Sequence, residues 1–110
     1  MTRPTPAERD AAAAALERVR DQIDELDQQI VELLSERARL GQAAGRAKAV
    51  AGRRAVRDHE REREVLLRVA MANPGPLPQA DLLSIYRRIV SATRALESRD
   101  RIHDERPGDA

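Results

Sequence analysis

Apolar residues recur at Leu16, Val19, Ile23, Leu26, Ile30 and Leu33, in strictly alternating steps of three and four. That spacing keeps one stripe of a helix turned toward one neighbour along its whole length, as in helices that pack side by side. No proline interrupts the segment between Ala7 and Val50, and Gly52 stands where a helix should stop. The pattern therefore predicts a single helix from about Ala7 to about Val50. Pro4 and Pro6 read as an approach segment ahead of it. At 1.5 Å rise per residue this helix is roughly 60 Å long. A chain of 110 residues cannot cover such a rod alone, and a second copy is the natural cover.

A connection from about Ala51 to Arg57 leads to a second helical pattern carrying Val65, Leu66, Leu67 and Val69. Asp58 suits its N-cap, and Glu60 and Glu62 put negative charge into its first turn, where the helix dipole favours it. The pattern stops at Asn73-Pro74-Gly75-Pro76. Pro78 suits the start of a third helix bearing Leu82, Leu83, Ile85, Tyr86, Ile89, Val90 and Leu96. The expected fold is all-α, with three helices per protomer: one very long, one short and one medium. Residues 1–6 are expected to be extended or disordered, 7–100 to form the domain, and 101–110 to fray.

Composition agrees with this reading and closes other possibilities. Aromatic residues make up 1% of the chain, Tyr86 alone, so the interior must be built from aliphatic side chains. So small a chain buries little apolar surface by itself, which again points to oligomerisation. Twenty Lys and Arg oppose nineteen Asp and Glu, and the net charge of +1 gives no general attraction to nucleic acid or membrane. The absence of cysteine excludes disulfides, thiolate metal sites and a cysteine nucleophile. The longest apolar run, Ala11 to Leu16, is far short of a membrane span, and Glu8, Arg9 and Asp10 interrupt any secretion signal. A stand-alone cytoplasmic protein is expected, with no metal and no cofactor. His59 and His103 read as surface residues.

Chemistry is suggested where ionisable residues break the apolar stripes. Beyond Leu33 the first stripe continues through Arg37, Leu40 and Ala44, with Lys48 one turn further on the same face. An inward Arg is unfavourable unless an anion meets it. A salt bridge to a partner helix would meet that need, and on helix stripes in general it is the commoner arrangement. The second helix begins its inner face with Asp58, Arg61 and Glu62 before Val65 and Val69. The third runs Leu82, Tyr86, Ile89 or Val90, and then turns polar at Thr93 and Glu97. A solvent-facing helix end explains any one of these, but all three together describe a pocket for a small polyanion. Arg20 also flanks the first stripe. It precedes Arg37 by seventeen residues, roughly 25 Å along the helix. Taken alone it is a surface residue; in an antiparallel pair of long helices it can reach the other protomer's pocket.

The chain from Leu16 to Glu97 resembles the all-α class of chorismate mutases. The resemblance rests on Leu16-Glu-Arg-Val-Arg20-Asp-Gln-Ile-Asp-Glu-Leu-Asp27, Leu33-Leu-Ser-Glu-Arg37-Ala-Arg-Leu, Gly45-Arg-Ala-Lys48 and Val56-Arg-Asp58-His-Glu-Arg61-Glu62-Arg63-Glu, with a looser match over Ile89-Val-Ser-Ala-Thr93-Arg-Ala-Leu-Glu97. It implies an intertwined six-helix homodimer with two active sites, each built from both chains. It also implies cofactor-free conversion of chorismate to prephenate in phenylalanine and tyrosine biosynthesis. By the same resemblance, Arg37 and the partner chain's Arg20 hold the two substrate carboxylates, and Lys48 bonds the ether oxygen and a carboxylate. Glu62 and the Asp58 backbone hold the ring hydroxyl, Arg61 and Thr93 line the ring-carboxylate side, and Glu97 faces the ether oxygen.

Three departures from the family pattern stand out. The link from Lys48 to Asp58 is one residue longer, Thr93 replaces a frequent Ser, and Glu97 occupies a position that also accepts Gln. Only a protonated Glu97 can donate to the ether oxygen. Related scaffolds serve an isochorismate pyruvate-lyase, which tends to lack the acid found here at Glu62, and a 4-amino-4-deoxychorismate mutase, whose substrate amine Glu62 would suit equally well. A non-catalytic helical dimerisation module is the reading of a different class.

Overall fold

The structure, a computed structural model, describes residues 2–53 and 58–104, with side chains described as far as residue 100. Three helices account for nearly all of it: α1 (Pro6–Val50), α2 (His59–Ala72) and α3 (Gln79–Asp104). The all-helical expectation holds among the described residues.

Helix α1 begins slightly earlier than its periodicity suggests. Thr5 Oγ1 accepts from the Glu8 backbone N–H at 3.1 Å, and Glu8 Oε2 accepts from the Thr5 N–H at 3.1 Å. This reciprocal pair is a capping box, with Thr5 as the cap and Pro6 as the first helical residue. Pro6 therefore lies inside the helix rather than ahead of it. A proline at that position loses no hydrogen bond, because the first helical N–H has no partner within the helix.

The far end of α1 stops where Gly52 predicts. Gly52 has φ of 80°, the left-handed conformation that favours glycine. Its N–H donates to Ala49 O at 3.1 Å, and the Arg53 N–H donates to Lys48 O at 2.8 Å, the two bonds of a Schellman stop. Most of the connection beyond it, residues 54–57, lies outside the described residues, so the expectation of a longer Lys48–Asp58 link falls largely outside them as well.

Asp58 caps α2 as expected: its Oδ1 accepts from the Arg61 N–H at 3.0 Å. After Ala72 the chain turns around Asn73. The Asn73 amide donates to Leu77 O at 3.0 Å, and its side-chain oxygen accepts from the Gly75 N–H at 3.0 Å. Pro78 stands just outside α3, its carbonyl accepting from the Leu82 N–H at 3.0 Å. Helix α3 continues to Asp104, and the remaining tail, 105–110, lies outside the described residues.

The chain forms two compact units, one ending at Ser35 and one beginning at Glu36. The first holds the N-terminal part of α1 and its heptad stripe. Those six stripe residues are between 47% and 63% exposed. In the second unit, α2 and α3 pack together. Val65, Leu66 and Val69 are half-buried on α2, as are Leu82, Leu83, Tyr86, Ile89 and Val90 on α3. No large apolar side chain among the described residues is fully buried. No described helix is long and apolar enough to cross a membrane.

Candidate active site

The site lies in the second unit, where the last turns of α1 meet the polar end of α3. Glycine permits the approach. A Cβ added at Gly41 would overlap Thr93 Cγ2, and one added at Gly45 would sit 3.1 Å from Glu97 Cγ. Both glycines thus admit α3 side chains against the backbone of α1. Farther along, the Gln42 amide donates to Asp100 Oδ2 at 3.1 Å and fastens the same two segments.

Around this contact the stripe residues of α1 point inward. Arg37 Nη1 donates to Thr93 Oγ1 at 3.2 Å, and Thr93 Oγ1 donates in turn to Ile89 O at 3.1 Å. The Arg37 guanidinium also lies 5.9 Å from the centre of the Tyr86 ring, within cation–π range. Two contacts on α3 therefore hold its fork in place. About two turns beyond Gly41, Lys48 Nζ lies 3.8 Å from Glu97 Oε2. Glu97, 8% exposed, is the buried charged residue of the described chain. Its Oε2 makes no hydrogen bond, so Lys48 neutralises it only at ion-pair distance. A ligand atom between them would find a donor on one side and, if Glu97 is protonated, a second donor on the other.

Helix α2 supplies the opposite wall. Asp58 is half-buried at the cap. Glu62, 18% exposed, forms an ion pair with Arg94 of α3, 29% exposed, at 3.4 Å. Arg61 is more open, and its guanidinium bonds Glu64 at 3.2 Å.

Together these residues line a partly open cavity of about 530 Å³, a size usual for small-molecule sites. Its lining includes five basic residues, Arg37, Lys48, Arg53, Arg61 and Arg94, against three acidic ones, Asp58, Glu62 and Glu97. Leu40, Ala44, Val65 and Val90 make the apolar part. An excess of fixed cations on a partly apolar wall suits a small anion with several carboxylate oxygens. Among the described residues, no three His, Cys, Asp or Glu side chains are gathered to hold a metal ion.

Of the expected site residues, Arg37, Lys48, Asp58, Arg61, Glu62, Thr93 and Glu97 all line this cavity. Arg20 belongs to the first unit, where its 62%-exposed side chain pairs with Glu17 at 3.5 Å. Sequence reasoning missed Arg94, Arg53 and the contact of Arg37 with Tyr86. Arg94 follows Thr93 directly and sits beside the stripe, and nothing local in the sequence links it to Glu62.

Known proteins point the same way. The family pattern described as chorismate mutase type II matches residues 19–98. A bifunctional chorismate mutase/prephenate dehydratase of Aquifex aeolicus is 36% identical over 91 residues, covering 79% of this chain and 25% of the relative. A protein of the same description from Neisseria gonorrhoeae is 40% identical over 78 residues, covering 71% of this chain and 21% of the relative. The chain thus spans about a quarter of the length of the curated relatives it matches. Among solved structures, the form II chorismate mutase of Thermus thermophilus superposes with a TM-score of 0.73 at 34% identity, covering 77% of this chain and 96% of that one. The matched region contains every cavity residue from Arg37 to Glu97, and the fold is shared, so this chain belongs to the type II chorismate mutase family.

Proposed function

We propose that the chain catalyses the rearrangement of chorismate to prephenate, on the route to phenylalanine and tyrosine, as a homodimer whose two sites each take Arg20 from the partner chain. The observation that carries this reading is the cavity. Arg37, held by Thr93 and Tyr86, and Lys48, held near Glu97, face one partly open cavity of a size that fits a small dicarboxylate.

The reaction breaks one C–O bond and forms one C–C bond within a single molecule, the electrons moving around a six-atom ring. It needs no nucleophile and no net proton transfer. The protein's task is to fold the enolpyruvyl arm over the ring and to stabilise charge that grows on the ether oxygen. Arg37 and the partner's Arg20 clamp the two carboxylates, and this fixes the folded geometry. Lys48 donates to the ether oxygen as its bond to carbon lengthens. Glu97, when protonated, donates to the same oxygen. Its Oε2 makes no hydrogen bond and has Lys48 Nζ only at 3.8 Å, which supports that role. Glu62 and the Asp58 backbone take the ring hydroxyl. Thr93 and Arg61 flank the ring carboxylate.

A second copy of the chain accounts for two features at once. It covers the half-exposed heptad stripe of α1, and it brings a further cation to a cavity otherwise built from residues 37–97. Glu62 on the cavity wall favours the mutase over the isochorismate lyase, which tends to lack that acid.

The test is a joint measurement of chorismate loss, prephenate gain and molecular mass in solution. Stoichiometric prephenate from a dimer is expected. A folded monomer, or pyruvate release in place of prephenate, overturns the reading.

A further inference from the structure

From the contacts of Thr93 we infer that this residue serves the reaction through Arg37 and not by bonding the substrate: its hydroxyl is a fixed acceptor that orients the Arg37 guanidinium at the cavity wall. The inference rests on the mutase reading above and deepens it. It gives a positioning role to a residue that otherwise only flanks the ring carboxylate.

The partners of Thr93 dictate the direction of both its bonds. A guanidinium has donors and no acceptor, and a backbone carbonyl only accepts. Thr93 Oγ1 therefore accepts from Arg37 Nη1 at 3.2 Å and donates to Ile89 O at 3.1 Å, and neither bond can be reversed. A hydroxyl carries a single proton. Here that proton is spent on the carbonyl four residues back in the same helix, a habit of Thr in helices. A carboxylate only accepts, so a substrate carboxylate finds no proton on Thr93 while this bond stands.

Packing keeps the bond standing. The Thr93 methyl group, Cγ2, is seated against Gly41 of α1, in space that a Cβ at Gly41 would take. Turning the side chain to release the hydroxyl from Ile89 O would carry the methyl out of that seat, and a β-branched residue in a helix has few other rotamers. Thr93 and Arg37 are both half-buried, which limits exchange of their bond for one to water. The bond to Thr93 occupies one N–H of the guanidinium and leaves others for a carboxylate. Gly41, Thr93 and Arg37 thus form a relay: the glycine seats the methyl, the seated methyl fixes the hydroxyl, and the hydroxyl orients the cation that clamps the substrate.

The test compares Thr93→Val, which keeps the shape and removes the hydroxyl, with Thr93→Ser, which keeps the hydroxyl. Each is read as kcat/KM for chorismate, both with Arg37 present and in an Arg37→Ala background, and by the nitrogen NMR signal of the Arg37 guanidinium in the ligand-free protein. Thr93→Val is expected to lower kcat/KM by about tenfold, the scale of one hydrogen bond to a charged group, and Thr93→Ser to recover most of that loss. In the Arg37→Ala background Thr93→Val should cost nothing further, since the two residues act as one. The Arg37 signal should shift in Thr93→Val and hold its place in Thr93→Ser. An equal loss in both backgrounds puts the hydroxyl on the substrate and overturns the inference. So does an unchanged kcat/KM in Thr93→Val, a Thr93→Ser as poor as Thr93→Val, or an Arg37 signal that Thr93→Val leaves unmoved. If Thr93→Val does not fold, Thr93→Ala takes its place with the same outcomes, and if Arg37→Ala has no measurable turnover the NMR signal decides. If wild type makes no prephenate the mutase reading fails, a distinct result, because the NMR signal reports the Arg37–Thr93 bond without turnover.

Discussion

Arg37 stands where the stripe of α1 calls for another aliphatic residue, and its guanidinium is shared between Thr93 Oγ1 and the Tyr86 ring. Neither partner carries a formal negative charge, so the cation keeps its capacity for a carboxylate. Replacing it with alanine removes one hydrogen bond and one cation–π contact, worth together about 2 kcal/mol at most. The fold should survive Arg37→Ala by circular dichroism, while prephenate formation falls by about two orders of magnitude or more. Intact activity with a large loss of stability would make Arg37 a structural residue.

Glu97 makes a different prediction. Donation to the ether oxygen needs a hydrogen on this side chain, and a glutamine always carries one. Glu97→Gln should therefore retain prephenate formation, while Glu97→Ala should lower kcat by about tenfold or more. An alanine variant with unchanged kcat removes Glu97 from the chemistry.

At the scale of elements, the contact between the end of α1 and α3 depends on glycine. Thr93 cannot simply swing away from a new methyl group at Gly41. It is β-branched, and its hydroxyl is already committed to Arg37 and to Ile89 O. Gly41→Ala gains up to about 1 kcal/mol of helix propensity and incurs an overpacking penalty of about 1–3 kcal/mol. Net destabilisation is expected in denaturant titration, with a lowered kcat as Arg37 loses its hydrogen-bond partner. An alanine variant as stable and active as the parent would show that the two segments do not meet this closely in solution.

At the scale of the whole molecule, the apolar stripe of the first unit and the cavity of the second make one prediction. If the partner's Arg20 completes each site, Arg20→Ala and Arg37→Ala chains are each inactive alone but complement each other when mixed and reassembled. A mixed dimer carries both lesions in one site and none in the other. With random pairing of equal amounts, activity should return to roughly a quarter of wild type. Absence of recovery, with mixed dimers demonstrated by mass, would place Arg20 in its own chain's site or in none.

The sequence was most legible where the physics is local. Helix α1 ends at Gly52 because a left-handed stop needs no distant partner, and Asp58 caps α2 by bonding a backbone N–H three residues on. The Thr5–Glu8 capping box is just as local, but the sequence reading sets Pro6 ahead of the helix, and the box places it inside α1. Periodicity also marked which face each of Arg37, Lys48, Glu62, Thr93 and Glu97 occupies, because a helix repeats by its own geometry. The pairings across faces depend on how two helices pack. Arg37 on Tyr86, Lys48 near Glu97 and Arg94 against Glu62 join residues far apart in the chain. No local pattern states which cation will neutralise which acid. Sequence alone therefore determined the helices and their ionisable inner faces, and tertiary packing decided which of those charges are already matched and which remain for a ligand.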